Sequence, residues 1–161
     1  MRGYDLSMID VGGQRSERKK WFPAFDDVTI VLFCASLSDY DQYLLEDKSK
    51  GRILESLELF DFAINGSFFE DSSFILFMNK QDIFEEKIKT SPLELYFNDY
   101  TGGQDAEKAK QFILDKYLSL NHTKKPIYQY FTCATDTNMM EAVFDVIEEN
   151  VISKALEFII G

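Results

Sequence analysis

Four stretches of the chain are dominated by apolar residues and have the length of β-strands. The predicted strands cover residues 4–11, 28–35, 72–78 and 127–133. The second and third contain few polar side chains, a composition typical of strands covered on both faces of a sheet. None approaches the roughly 20 consecutive apolar residues that a membrane-spanning helix needs.

The segments between these strands show the three- and four-residue spacing of amphipathic helices. The apolar stripes are Ile53, Leu54, Leu57, Phe60 and Ile64, then Ala109, Phe112, Ile113 and Tyr117, and finally Met140, Val143, Phe144, Ile147, Val151 and Ile152. This alternation predicts an α/β fold, with a mostly parallel sheet and helices on both faces. Residues 84–105 lack such periodicity and are interpreted as a surface insertion.

Composition narrows the possible partners. The 161 residues point to one domain or part of one. Their 17 basic and 28 acidic side chains leave a net charge of −11. Each phosphate contact with a nucleic acid needs a local cation, so we expect no nucleic-acid partner.

Parallel sheets bind ligands beyond the carboxyl ends of their strands, and a polar turn follows the first predicted strand there. It reads Asp10-Val11-Gly12-Gly13-Gln14. A carboxylate at a strand end holds Mg²⁺ directly or through water, and a glycine lets a backbone N–H approach a phosphate. A glutamine both donates and accepts hydrogen bonds, which suits it to orienting a water. An ordinary tight turn is the alternative reading.

Two more polar turns follow the third and fourth strands. Asn79-Lys80-Gln81-Asp82 offers a carboxylate that accepts two N–H bonds from the guanine edge and would be left unpaired by adenine. Thr132-Cys133-Ala134-Thr135 has small side chains that let a backbone N–H reach a ligand oxygen. Alone, each turn is also compatible with a common polar loop.

In their order and spacing, the three turns resemble those of the α subunits of heterotrimeric G proteins. The similar blocks are DVGGQRSERKK at residues 10–20 followed by Trp21, ASLSDYDQ at 35–42, ESL at 55–57, NKQDIFEEKI at 79–88 and TCATDTN at 132–138. Small GTPases share Asp10, Gly13 and the Asn-Lys-x-Asp tetrad, but not the RSERKKW run or the TCAT loop.

The resemblance implies a P-loop GTPase fold, with GTP or GDP and Mg²⁺ as cofactors. It assigns nucleotide binding to Asp10, Val11, Gly12, Gly13, Gln14, Asn79, Lys80, Gln81, Asp82, Cys133, Ala134 and Thr135. Asp10 would hold Mg²⁺ through water, the Gly13 N–H would bond the γ-phosphate, and Gln14 would be the catalytic residue that positions the attacking water. Asp82 would read guanine, Lys80 would stack on it, and the Ala134 N–H would bond its O6.

The resemblance also implies partners. Residues 12–25 resemble the nucleotide-dependent switch, with Glu46 in a second switch placed to pair with Arg18. Lys19, Lys20 and Trp21 correspond to contacts with the G protein βγ dimer. A G protein-coupled receptor and an effector enzyme would be further partners in signal transduction. A full-length family member would lie in the cytoplasm at the inner face of the plasma membrane.

One motif of the family, the phosphate loop Gly-x4-Gly-Lys-[Ser/Thr], does not occur in the 161 residues. In the family this loop and the strand before it, the helical insertion, the catalytic arginine and the magnesium-binding threonine all precede the first strand seen here. We therefore expect residues 1–161 to be the C-terminal portion of a Ras-like GTPase domain. We expect its fold to be incomplete, without the helical insertion domain and the lipidated N-terminus.

The missing phosphate loop and arginine predict that this chain alone is inactive as a GTPase. The alternative is a truncated, non-enzymatic interaction module that binds βγ or a receptor. Binding to βγ without any affinity for GTP would favour that alternative.

Overall fold

Three parallel strands form the sheet. The computed structural model describes residues 7–21, 25, 28–138, 141, 144–145 and 148. Strands β1 (Ile30–Ser36), β2 (Ser73–Asn79) and β3 (Ile127–Phe131) are paired in the order β1-β2-β3. Helices α1 (Arg52–Asn65), α2 (Gln81–Lys87) and α3 (Ala106–Leu118) lie between them. Short 3₁₀ turns occupy Arg18–Lys20, Leu37–Asp39, Ser67–Phe69 and Leu93–Leu95. The predicted α/β class is confirmed.

The main core lies between one face of the sheet and helices α1 and α3. Alternate side chains of β2 point into it: Phe74, Leu76 and Met78 are fully buried. Phe60 of α1 occupies its centre, with its ring centroid 5.0 Å from Phe33 and 5.4 Å from Tyr117. On the opposite face, Ile75 and Phe77 form a second, smaller cluster. No helix in the described part of the chain is long and apolar enough to cross a bilayer.

Local sequence explains where the helices begin and end. The Asp105 side chain caps α3 by accepting hydrogen bonds from the N–H groups of Glu107 and Lys108, donors that the helix itself leaves unpaired. Helix α1 ends at Gly66, where a Cβ atom would lie 2.6 Å from the Phe62 carbonyl oxygen. Only glycine fits that close approach.

The prediction of a strand at residues 4–11 is wrong for the residues that the structure describes. Residues 7–13 have no regular structure and are exposed. A strand is stabilised by the hydrogen bonds of a neighbour, and within the described residues β1 pairs only with β2. Residues 4–6 lie outside the described part.

The interpretation of residues 84–105 as a surface insertion is also wrong. Phe84, Ile88, Leu93, Phe97 and Tyr100 are all buried in the main core. Their spacing does not follow one period because the segment passes from α2 through turns and a 3₁₀ helix before α3 begins. In this segment the presence of large apolar and aromatic residues, rather than their periodicity, was the sequence signal of a buried segment.

The predicted helical stripes have two exceptions. Leu54 on α1 is 48% exposed, although Ile53, Phe60 and Ile64 are buried as expected. Most of the last stripe lies outside the described residues. Phe144, the one apolar member of that stripe within them, is 42% exposed.

Replacement of Phe60 tests the core. Because this fully buried ring contacts the sheet and α3, Phe60→Ala is expected to lower the free energy of unfolding by about 3–5 kcal/mol. Phe62→Ala, on the same helix but 48% exposed, is the matched control, with an expected loss below about 1 kcal/mol. Urea unfolding followed by circular dichroism measures both, and equal losses would contradict this account of the core.

Candidate functional site

The carboxyl ends of the three strands bring three polar turns to one edge of the sheet. Ser36 of β1 lies opposite Asn79 of β2, and Met78 lies opposite Phe131 of β3. The turn Leu37–Asp39 and the segments 79–82 and 132–135 therefore emerge side by side. This is the edge at which open α/β sheets bind ligands.

Asn79 joins two of these turns. Its Oδ1 accepts a hydrogen bond from the Ala134 N–H at 3.1 Å and another from Thr132 Oγ1 at 3.3 Å. The Gln81 N–H donates to the Thr132 carbonyl at 3.3 Å, which adds a backbone link. Cys133 and Thr135 contact each other through Sγ and Oγ1 at 3.0 Å. The predicted Asn79, Gln81, Cys133, Ala134 and Thr135 are thus brought together.

Lys80 and Asp82 lie at the start of α2. Lys80 has the left-handed backbone conformation (φ 60°, ψ 38°), which is rare for a side chain with a Cβ and is concentrated at functional sites. The Asp82 carboxylate is exposed and has no hydrogen-bond or ion-pair partner among the described residues. An unengaged carboxylate is available to accept hydrogen bonds from a ligand.

The predicted Ala134 contact needs one rearrangement. The Ala134 N–H already donates to Asn79 within the protein. For this N–H to bond the guanine O6, it must exchange the Asn79 oxygen for the base.

The segment from Asp10 to Gln14 is exposed throughout. A Cβ atom at Gly12 would clash with the Glu17 carboxylate, and the Gly12 carbonyl accepts a 2.7 Å hydrogen bond from Trp21 Nε1. Gly13 has open space where a Cβ would stand, so its backbone is accessible to a phosphate. Desolvation first, and the negative charge of Asp10 second, raise the pKa of the Cys34 thiol.

A metal site at Asp10 would rest on one carboxylate. The described residues contain no group of three or more metal-ligating side chains. Mg²⁺ is commonly held by one or two carboxylates together with water and substrate phosphates. The exposed Asp10 carboxylate therefore fits such a site when the phosphates supply the other ligands.

Glu55 holds the segment after Gln14 against α1. This carboxylate is 5% exposed and contacts three cations. Arg15 donates to it twice, from Nε at 3.0 Å and from Nη2 at 2.7 Å. Arg18 Nη2 lies 2.6 Å away and Lys50 Nζ 2.9 Å away. These partners, Arg15 foremost, hold the pKa of Glu55 far below its usual range against the opposing effect of desolvation.

The predicted Arg18–Glu46 pair is not formed. Arg18 pairs with Glu55 instead. Glu55 lies in the first turn of α1 and is buried beside the arginine, whereas Glu46 is exposed on the preceding loop. The signal that sequence reasoning missed was an acidic residue next to the apolar stripe of α1.

A groove of about 350 Å³ separates the segment around Trp21 from α1. Its lining is Arg18, Lys19, Trp21, Phe25, Glu55, Glu58, Leu59 and Phe62, which includes no residue of segments 79–82 and 132–135. Lys19 and Lys20 are exposed on the 3₁₀ turn beside it, and the Arg18 guanidinium lies 5.9 Å from the Trp21 ring centroid. Arg18, Lys19, Lys20 and Trp21 are therefore neighbours on one surface, which does not include Glu46.

Comparison with known proteins places the chain in a family that fits this fold and site. The family model of the G-protein alpha subunit matches residues 1–151. The guanine nucleotide-binding protein alpha-2 subunit of Kluyveromyces lactis is 52% identical over 152 residues, which are 94% of this chain and 27% of the relative. The alpha-2 subunit of Saccharomyces cerevisiae is 50% identical over 96% of this chain and 35% of the relative. The guanine nucleotide-binding protein G(o) subunit alpha of Locusta migratoria is 47% identical over 96% of this chain and 44% of the relative.

The chain belongs to the G-protein alpha subunit family. It spans less than half the length of these curated relatives. The partial α/β sheet is consistent with the P-loop GTPase fold of this family.

Removal of the Glu55 charge tests the ion-pair cluster that Glu55 forms with Arg15, Arg18 and Lys50. Loss of charge-assisted hydrogen bonds worth about 1.5–3 kcal/mol is expected to raise the detached population of residues 14–21 about 10-fold or more. Trypsin should then cleave Glu55→Gln faster after Arg15 and Arg18. Glu58→Gln is the control, since Glu58 contacts only Lys50 of the three cations. Equal cleavage of both variants would contradict the prediction.

The same cluster predicts a pH dependence. The pKa of Glu55 is lowered in the folded chain, so its contribution is complete above the ordinary value of 4.5 and is lost as the pH falls below it. Trp21 fluorescence in the parent chain should report this loss, and Glu55→Gln should remove the transition.

Proposed function

We propose that this chain is part of a heterotrimeric G protein α subunit that binds and hydrolyses GTP in receptor signal transduction. The observation that carries the proposal is the Asp82 carboxylate, exposed and unengaged at the start of α2, beside two turns that Asn79 ties together. In this proposal residues 1–161 supply the guanine-recognition turns and the switch of a Ras-like GTPase domain.

Base recognition follows from the chemistry of the turns. The Asp82 carboxylate accepts the ring N–H and the amino N–H of guanine. Adenine offers neither donor in that arrangement and leaves the charge unpaired. The Lys80 stem lies along the flat face of the base. Asn79 keeps both turns in place, because its Oδ1 bonds the turn after β3.

In this proposal, residues 10–14 bind the phosphates of GTP and support its hydrolysis. The accessible Gly13 N–H donates to the γ-phosphate, and Gln14 orients the attacking water. Asp10 would hold Mg²⁺ through water, and that ion supplies charge neutralisation at the phosphates when it is bound. Gln14 also begins the switch turn, since its carbonyl accepts the Glu17 N–H at 2.9 Å. A change at the phosphate is thereby connected to Arg15, Arg18 and their contact with Glu55.

Protein partners are assigned to the switch surface. Lys19, Lys20 and Trp21 border the groove against α1 and are proposed contacts of a βγ dimer. An effector enzyme and a G protein-coupled receptor are the further proposed partners. The proposed location is the cytoplasmic side of the plasma membrane.

Assays of the whole activity need more than this chain, which spans only part of its relatives. A hybrid protein, in which residues 1–161 replace the matching segment of the Saccharomyces cerevisiae relative, provides a complete-length context. All variants below are made in this hybrid.

Asp82→Asn tests base recognition. Loss of two charge-assisted hydrogen bonds is expected to weaken GTP binding about 10- to 100-fold. The new amide N–H faces the carbonyl that xanthine carries in place of the guanine amino group, so xanthosine triphosphate should bind better than to the parent. Glu86→Gln, which removes an exposed carboxylate from the same helix, is the control. Unchanged GTP affinity in Asp82→Asn would overturn the assignment.

Gln14→Leu tests catalysis. Without a group to orient the water, single-turnover GTP hydrolysis should slow about 100-fold or more, while GTP affinity stays within about 2-fold. Gln111→Leu, an exposed change on α3, should leave both values as in the parent. Unchanged hydrolysis would remove Gln14 from the mechanism.

A further inference from the structure

A buried carboxylate lies beside the base-binding turn and has no role in the mechanism above. Asp39 ends the 3₁₀ turn that follows β1 and is 7% exposed. Its Oδ2 lies 3.0 Å from Arg52 Nη2, and its Oδ1 accepts the Ser36 hydroxyl at 2.8 Å. The same Oδ1 lies 3.8 Å from the Lys80 ammonium.

Lys80 has little else to hold its side chain. The side chain is 45% exposed, and within the described part of the chain the ammonium's charged partner is Asp39. A free lysine side chain has many rotamers, and ordering them on binding opposes association. A partner that holds the ammonium in advance reduces that entropy loss.

The burial and hydrogen bonding of Asp39 make it suited to this role. Ser36 and Arg52 fix the carboxylate from two sides, so its position does not depend on Lys80. Asp39 is therefore a fixed anchor, and Lys80 is the mobile member of the pair.

We propose that Asp39 is a positioning residue for base recognition, holding the Lys80 ammonium so that the lysine stem lies ready over the guanine ring. The inference rests on the proposed function, in which Lys80 stacks on the base. It assigns to the turn after β1 a part in nucleotide affinity without any contact between Asp39 and the nucleotide.

The neighbouring Asp41 provides a matched control. Asp41 Oδ1 pairs with Lys87 Nζ at 2.7 Å, and the same ammonium donates to the Ser38 carbonyl. Asp41 thus anchors the far end of α2 to the same loop without touching Lys80. General loosening of α2 would affect both aspartates, whereas positioning of Lys80 involves Asp39 alone.

The experiment measures the dissociation rate of fluorescently labelled GDP from the hybrid protein, in a double-mutant cycle of Asp39→Asn and Lys80→Met. Because Lys80 is partly exposed, Asp39→Asn is expected to speed dissociation only about 2- to 5-fold. In the Lys80→Met background the same substitution should have no further effect. Asp41→Asn should dissociate GDP at the parent rate.

A second readout separates positioning from folding. The melting temperatures of the nucleotide-free variants should show only the small coupling between residues 39 and 80 that a partly exposed ion pair gives, whereas the dissociation rates should show the full effect.

The inference about Asp39 would be overturned by additive effects of Asp39→Asn and Lys80→Met on GDP dissociation, or by equal effects of Asp39→Asn and Asp41→Asn. Neither result would contradict the proposed function. A parent hybrid that binds no guanine nucleotide would overturn the proposed function and this inference with it.

Discussion

The parallel alignment of β1, β2 and β3 is the constraint on which the rest of the structure depends. Parallel strands end at the same edge, so residues far apart in the chain become neighbours there. Ser36 opposite Asn79 fixes where the turn containing Asp39 meets the turn containing Lys80. The core under Phe60 holds this alignment, because the ring packs against the sheet and α3 together. The candidate site is thus a consequence of how one face of the sheet is buried.

Ion pairs with Glu55 position residues 14–21, the segment that follows the predicted phosphate-binding turn. Glu55 is buried yet contacts Arg15, Arg18 and Lys50, so the cost of removing a carboxylate from water is offset by several charge-assisted bonds. Two of these cations belong to the segment after Gln14, while Lys50 belongs to the loop before α1. Detachment of the segment would leave Glu55 with Lys50. Residues 14–21 are therefore held against α1 by the ion pairs of Arg15 and Arg18 with one buried carboxylate, that of Glu55.

Much of the fold followed from local patterns, and the exceptions have physical reasons. The strands β1 and β2 lie close to their predicted positions because nearly continuous apolar runs of that length have few other ways to be buried. Strand β3 also lies close to its predicted position, although Tyr128 and Gln129 in it are exposed, because its isoleucine and aromatic residues favour strands. The strand predicted at residues 4–11 is wrong over residues 7–11, because a strand also needs a hydrogen-bonding neighbour. The segment 84–105 carries five buried apolar or aromatic side chains without a regular period, so periodicity alone misread it.

For the candidate site, the sequence by itself determined the chemical inventory and the family to which the chain belongs. The turns at residues 10–14, 79–82 and 132–135 were identifiable because their residue types and their order along the chain are distinctive, although no strand precedes residues 10–14 in the described part of the structure. Their roles toward nucleotide and Mg²⁺ remain predictions. Only the tertiary structure decided which charges meet: Glu55 rather than Glu46 pairs with Arg18, and Asp39 pairs with Lys80. Those partners come from separate elements, so their proximity depends on how the helices pack on the sheet and has no local signature in the chain.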